Sequence, residues 1–304
     1  MRTAVIGAEG QLGSDVCEEF ERIGDDVVKL NHTHFEVASP DSVWESLSRI
    51  KPEIVVNTSA FHHVESCEQD PAKAFAVNAI GVRNLAEVAN DLDSVLIHVS
   101  TDYVFDGAKG QPYVECDAPR PLNVYGNTKL AGEYFARSMM LRHFVLRTSA
   151  IYGKNPCRAK SGLNFVELML KLAREREEVR VVNTEFVTPT PTRDLASQIV
   201  KLSRCDAYGL YHATAEGSCS WYEFASEIFR LTKTRVRLEI AKPKDFRPKV
   251  PRPKYSVLEN SGLKAIGMDV FRPWQEGLKE YLGLTIGSEA NQMLGPGRKE
   301  RPCG

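Results

Sequence analysis

Short β-branched runs alternate with longer amphipathic segments along most of the chain. The runs are TAVIG (3–7), DVVKL (26–30), EIVVN (53–57), SVLIHVS (94–100), HFVLRTS (143–149) and VRVVN (179–183). They are continuously apolar, as strands covered on both faces are, and the segments between them are long enough for crossover helices. Helical periodicity falls at 11–23, 41–50, 71–90, 126–140, 163–177, 192–204, 220–231 and 273–282. Ser39-Pro40-Asp41 and Asp70-Pro71 supply start signals for two of these helices. Strand and helix in alternation predict an α/β fold on a doubly wound parallel sheet.

After about residue 205 the alternation weakens, and the proline-rich basic stretch AKPKDFRPKVPRPKYS (241–256) reads as extended loop. A second, smaller α+β part is expected there. The last twenty residues, TIGSEANQMLGPGRKERPCG, have no helical or strand period, so 285–304 is expected to be a disordered tail.

Composition narrows the class. The chain has 304 residues, 42% of them hydrophobic, enough for one large α/β unit or two modest domains. With 39 Lys and Arg against 40 Asp and Glu, no global field attracts nucleic acid or an anionic membrane, so any anionic ligand is held locally. No run approaches the ~18 apolar residues of a membrane span, and MRTAVIGAEG enters a strand pattern at once without a signal segment. A cytoplasmic protein is expected. Cysteines 17, 67, 116, 157, 205, 219 and 303 are scattered without CxxC spacing, which points to reduced structural thiols and to no zinc site.

The first strand runs into Gly7-Ala8-Glu9-Gly10-Gln11-Leu12-Gly13 with a helix behind it. Gly7 and Gly10 let the chain turn tightly and bring backbone N–H groups to a pyrophosphate, and Gly13 lets the helix pack close to the sheet. Gln11 and Leu12 open that helix and belong to the same expected cofactor site, which makes residues 1–148 a dinucleotide-binding part. Where an acidic residue at the end of the second strand would bind a ribose 2′-hydroxyl, this chain has neutral Asn31; that leans toward NADPH, with NADH as the other choice. Glu36 and Val37 are expected at the adenine edge, and Ser59 and Ala60 along the middle of the cofactor.

Tyr125 and Lys129, in VYGNTKLAGE (124–133), are four residues apart and share one helix face. A neighbouring ammonium, together with an oxidised nicotinamide, would favour the phenolate and poise the tyrosine for acid–base work. The fourth strand ends in Ser100-Thr101-Asp102-Tyr103, at the edge where open α/β sheets bind ligands, and the Thr101 hydroxyl could polarise the carbonyl that Tyr125 protonates.

Glycine loop, hydroxyl residue and Tyr-x-x-x-Lys together resemble the extended short-chain dehydrogenase/reductases, built on the Rossmann sheet. Within them, STDYVFDG (100–107), PLNVYGNTKLAGE (121–133), RTSAIYG (147–153) and RPKYSVL (252–258) resemble the dTDP-4-dehydrorhamnose reductase family over roughly residues 1–284. The resemblance implies Thr101, Tyr125 and Lys129 as the catalytic trio. It further implies hydride transfer from NADPH to C4 of dTDP-4-dehydro-6-deoxy-L-mannose, giving dTDP-L-rhamnose. A substrate-binding part over 149–284 follows, with 179–205 returning to the main sheet. Some members use Mg²⁺ at a subunit interface, so Mg²⁺ and a homodimer are implied by resemblance alone. Rival readings are a related epimerase and a non-catalytic NADP-binding subunit like the partner of methionine adenosyltransferase.

The substrate pocket departs from the family pattern. Ala150 stands where tryptophan commonly follows Arg-Thr-Ser, and Thr184-Glu185 stands where Asp-Gln is common. Trp221 matches a family tryptophan near the sugar, Asp102 follows the catalytic threonine and is expected to bind substrate, and Arg252 could neutralise a nucleotide diphosphate. His62 and His63 are adjacent and cannot easily share one ion, so His63 is expected to face substrate and no metal ligands are assigned. Glu65 and Glu68 read as a first-turn pair favoured by a helix dipole.

Overall fold

The computed structural model describes residues 1–156, 162–242 and 249–293, with side chains to residue 283. Its first half is β1 (Arg2–Ile6), α1 (Gln11–Arg22), β2 (Asp26–Leu30), α2 (Pro40–Ile50), β3 (Ile54–Asn57), α3 (Val64–Gln69), α4 (Pro71–Phe75), α5 (Gly81–Asp91), β4 (Val95–Thr101), α6 (Val124–Met139) and β5 (His143–Thr148). The second half is β6 (Ile151–Tyr152), α7 (Phe165–Glu175), β7 (Glu178–Val181), β8 (Phe186–Val187), β9 (Thr190–Pro191), α8 (Thr192–Leu202), β10 (Gly209–His212), β11 (Cys219–Ser220), α9 (Trp221–Thr232), β12 (Arg237–Ile240), α10 (Ser261–Ala265) and α11 (Trp274–Met293).

Six strands form one parallel sheet in the order β10-β5-β4-β3-β1-β2. The chain leaves β1 toward β2 on one side and resumes with β3 on the other, so the order reverses at β1 and opens a crevice beyond the carboxyl ends of β1 and β3. Apolar side chains fill both faces. Val5, Val56 and Ile97 meet Val16, Phe20, Leu195 and Ile199 of α1 and α8. Ala4, Val55 and Leu96 meet Val43, Leu47, Val82, Leu85 and Ala136 of α2, α5 and α6. Each fully buried valine, leucine, isoleucine or phenylalanine among them contributes roughly 1.5–3 kcal/mol by leaving water. A third core, with Tyr152, Val166, Phe224 and Trp274, holds the later segments together.

A buried ion pair fixes α6 to the sheet. Arg147 on β5 donates through Nε and Nη2 to Glu133 on α6 at 2.9 and 2.7 Å, and Ser100 on β4 donates to the same carboxylate at 2.5 Å. Removing one partner would strand the other charge in the interior at a cost of about 3–5 kcal/mol.

Between α4 and α5 the helix widens into a π turn, Ala76–Ile80. Buried Asn78 in that turn accepts from the Phe61 N–H at 2.8 Å, and it donates to the Phe61 carbonyl at 2.9 Å and to Thr128 on α6 at 3.0 Å. The loop after β3 is thereby tied to the helix carrying Tyr125.

Two expectations are corrected. The run at 179–183 does not join the main sheet: β7 pairs in parallel with β12, and only α8 of the 179–205 segment returns, packing on α1. The returning strand is β10, whose short GLYH sequence is too polar to stand out by pattern. Residues 285–293, expected in the tail, continue α11; Glu289, Ala290, Gln292 and Met293 are good helix formers and no proline interrupts 274–293. The rest of that tail, 294–304, lies outside the described residues.

Candidate active site

At the end of β1 the chain turns through Gly7 at φ 78°, a left-handed conformation that excludes an ordinary side chain. A Cβ on Gly13 would overlap the Gly7 carbonyl oxygen. The loop therefore folds on itself only with glycine at both positions. Gly10 caps α1 without any side-chain bond to the first-turn N–H groups, which are left pointing into the crevice with the positive end of the helix dipole. These residues fit a dinucleotide pyrophosphate.

Around this cradle the expected cofactor residues divide. Gln11 turns its amide to the carbonyls of Gly153 and Asn155, both at 3.4 Å, and Leu12 is buried in the core, so each offers a cofactor its backbone. Ser59 is locked onto Asn57 through its N–H at 3.1 Å and its hydroxyl at 2.6 Å, and Ala60 follows it at the cleft edge. Glu36 is exposed and accepts from the N–H of Ala38 at 3.0 Å. Val37, expected at the adenine edge, is a core residue whose carbonyl accepts from Asn84 at 3.2 Å. Asn31 donates to the Glu9 carboxylate at 2.7 Å. Nothing in the sequence singled Glu9 out, because its partner lies 22 residues away.

Thr101, Tyr125 and Lys129 come together at the carboxyl edge of β4. Asn123 caps α6 by accepting from the N–H of Gly126 at 2.9 Å, and Glu68 accepts from the N–H of Val124 at 2.7 Å. A side chain at Gly126 would collide with the Tyr103 carbonyl, so α6 can press its first turn against the end of β4 only with glycine there. Tyr103 and Tyr125 meet edge to face at 5.8 Å. Lys129 is 2% exposed and donates to the carbonyl of Val99 at 2.7 Å.

The electrostatics differ from the sequence expectation. Burial raises the Tyr125 phenol, with the Thr101 hydroxyl opposing in part, and Lys129 contributes nothing that lowers it. The reason is that burial also pushes Lys129 down, to about 8, against the pull of Glu133, and the amine is spent on a backbone carbonyl. Thr101 donates to Asp102 at 3.0 Å and accepts from the Tyr103 N–H at 3.1 Å, and its hydroxyl also stands beside the Tyr125 phenol.

Asp102, expected to bind substrate, is 4% exposed and faces inward. It accepts from Thr101, from Ser149 at 2.9 Å and from Ser256 at 2.5 Å, and burial raises it to about 6 against those three bonds. Arg252 donates to Glu65 at 2.5 Å, and the charge of Glu185 also acts on it. Asn123 donates to the Pro251 carbonyl at 2.9 Å. Trp221 packs on Phe165 at 4.6 Å and lies close enough to Glu185 to oppose the rise that burial gives its carboxyl. His63 caps α3, accepting from the N–H of Ser66 at 3.3 Å, and stands 3.6 Å from Glu65. Glu65 and Glu68 are thus partners of Arg252 and of α6, not a dipole pair alone. Ser149 and Ser256 carried no local signal.

Among the described residues no group of three or more His, Cys, Asp or Glu side chains is arranged to hold a metal ion, which leaves the implied Mg²⁺ without a ligand set there. No described helix is long and apolar enough to cross a membrane.

A reversed parallel sheet, a glycine cradle at its switch point and a tyrosine–lysine helix at its edge define the class as the extended short-chain dehydrogenase/reductases. The family model described as the RmlD substrate binding domain matches residues 1–285. The chain is 38% identical to the spore coat polysaccharide biosynthesis protein SpsK of Bacillus subtilis, over 92% of this chain and 96% of that one. It is 35% identical to dTDP-4-dehydrorhamnose reductase of Escherichia coli, over 93% and 97% respectively. Among solved structures, a Bacillus anthracis dTDP-4-dehydrorhamnose reductase in complex with NADP is 35% identical at a TM-score of 0.89, covering 93% of this chain and 99% of that one. The chain belongs to the RmlD substrate-binding-domain family.

Proposed function

We propose that this chain is a nucleotide-sugar 4-ketoreductase that uses NADPH to reduce dTDP-4-dehydro-6-deoxy-L-mannose to dTDP-L-rhamnose. The observation that carries the reading is the meeting of Thr101, Tyr125 and Lys129 at the carboxyl edge of the same parallel sheet whose first strand ends in the glycine cradle. The names of the relatives support the choice of substrate, and NADP in the Bacillus anthracis protein supports the choice of cofactor.

Bound NADPH supplies the hydride that adds to C4 of the sugar. Negative charge grows on the C4 oxygen, and Tyr125 gives its hydroxyl proton to that atom. Lys129, which holds its proton below about pH 8, ties the helix face that carries Tyr125 to the end of β4 through the Val99 carbonyl. Thr101 must swing its proton from Asp102 to the oxyanion, so Asp102 acts as a positioning residue, in place of a direct substrate contact. Arg252 is assigned to the diphosphate, exchanging Glu65 for it, with His63 and Trp221 bordering the sugar.

In this reading residues 1–148 bind the dinucleotide and 149–284 mainly the sugar nucleotide, with α8 and β10 completing the first part. The reaction belongs in the cytoplasm, and sizing the protein at micromolar concentration tests the homodimer. Loss of NADPH absorbance with dTDP-4-dehydro-6-deoxy-L-mannose, with product identified by mass and NMR, tests the function. Cofactor binding without turnover across a panel of nucleotide 4-ketosugars would reject it in favour of a binding-only subunit.

A further inference from the structure

The end of β2 is where this kind of sheet reads the adenosine ribose, through an acidic residue that binds the 2′-hydroxyl or a cationic one that accommodates a 2′-phosphate. Here that position holds neutral Asn31, and no lysine or arginine occurs between Leu30 and Arg49. A carboxylate reaches the same place from the glycine loop. The N–H groups of Gly7 and Ala8 both donate to the Leu30 carbonyl, at 2.9 and 3.3 Å, which clamps the loop over the strand end. Glu9 is the next residue, and its carboxylate accepts from the Asn31 amide at 2.7 Å. Asn31 is itself fixed, because its amide oxygen accepts from the Thr33 N–H at 3.1 Å and from the Thr33 hydroxyl. The amide nitrogen through which this asparagine could donate to a phosphate is already bonded to a negative charge.

We propose that Glu9, oriented by Asn31, is the residue that sets selectivity between NADPH and NADH in this chain. It accepts a hydrogen bond from the 2′-hydroxyl of NADH and opposes the 2′-phosphate of NADPH, so preference for NADPH is held low. The inference rests on the dinucleotide reading of the glycine cradle and on no step of the reduction. Two like charges about 6 Å apart near water repel weakly, so the effect on affinity is between about fivefold and tenfold for a phosphate.

The test is direct binding without sugar substrate. Dissociation constants for NADPH and NADH are measured by nucleotide fluorescence at one mildly alkaline pH and one ionic strength. Wild type, Glu9→Gln and Asn31→Asp are compared; Glu9 is exposed, and melting temperatures confirm that the variants fold. Glu9→Gln is expected to tighten NADPH about fivefold or more relative to NADH, and Asn31→Asp to weaken NADPH relative to NADH. Added salt should narrow the gap between wild type and Glu9→Gln, because screening weakens repulsion. A ratio of the two constants that Glu9→Gln leaves unchanged within about twofold would overturn the proposal while the dinucleotide reading stands. Failure of wild type to bind either nucleotide would overturn both.

Discussion

Gly7, Gly10 and Gly13 lie within one loop and one helix turn, whereas Asp102 is held by Ser149 and Ser256, 47 and 154 residues away. The cofactor side of the cleft is written in a short contiguous motif whose backbone does the binding. On the substrate side, side chains from distant segments meet instead: Arg252 on Glu65, Asn123 on Pro251, Trp221 on Glu185. The first kind of site depends on conformation at single residues, and the second on tertiary packing. They should fail in different ways when perturbed.

The largest effect is expected at the seam between them. Tyr125→Phe removes the proton donor and leaves both sides intact, so turnover should fall by about 10²–10⁴ while NADPH affinity holds; near-normal turnover would defeat the assignment.

Asp102→Asn should loosen only the substrate side and leaves a pH signature. Burial raises this carboxyl from 3.8 to about 6 in the folded protein, so the stabilisation from its bound proton is complete below about pH 4 and fades as pH rises through about 6. The fall amounts to about 3 kcal/mol, and a non-ionising asparagine should flatten it. Denaturant titrations across that range would show an unchanged slope if Asp102 were not the group responsible.

Gly13→Ala should break the cofactor side alone. Overlap with the Gly7 carbonyl forces the loop to shift at about 1–3 kcal/mol, weakening NADPH by about tenfold to a hundredfold. Calorimetric titration with a nucleotide diphosphate should show the sugar-nucleotide side unaffected. The smallest effect is expected from Arg252→Ala, because the guanidinium already has Glu65: about a tenfold rise in KM for the nucleotide sugar with a lesser change in kcat. The reverse split would move Arg252 from binding to chemistry.

The same contrast governs what could be read in the sequence. Strands such as β1, β3 and β4 and the helix carrying Tyr125 announce themselves by period and by caps, because both faces of the sheet are covered there and local propensity agrees with the fold. The partner of β7 was not legible: a short apolar run reads the same whether it joins the main sheet or pairs with β12. Strand β10 hid for the opposite reason, with half its residues only partly buried. Of the site, the glycine cradle and Tyr-x-x-x-Lys were visible because their spacing is their geometry. The cage around Asp102 and the hold of Glu9 on Asn31 were not, since each needs two segments that only folding brings together.

The π turn at Ala76–Ile80 works as an alignment mark. It carries one more residue per turn than the helices on either side, and Asn78 inside it grips the Phe61 backbone and Thr128 at once. Deleting a single residue there would restore an unbroken α-helix and rotate everything before it by about 100° relative to α5. The amide of Asn78 would then face one neighbour or the other, never both, so natural changes of chain length should avoid this stretch even though its outer face is open to water.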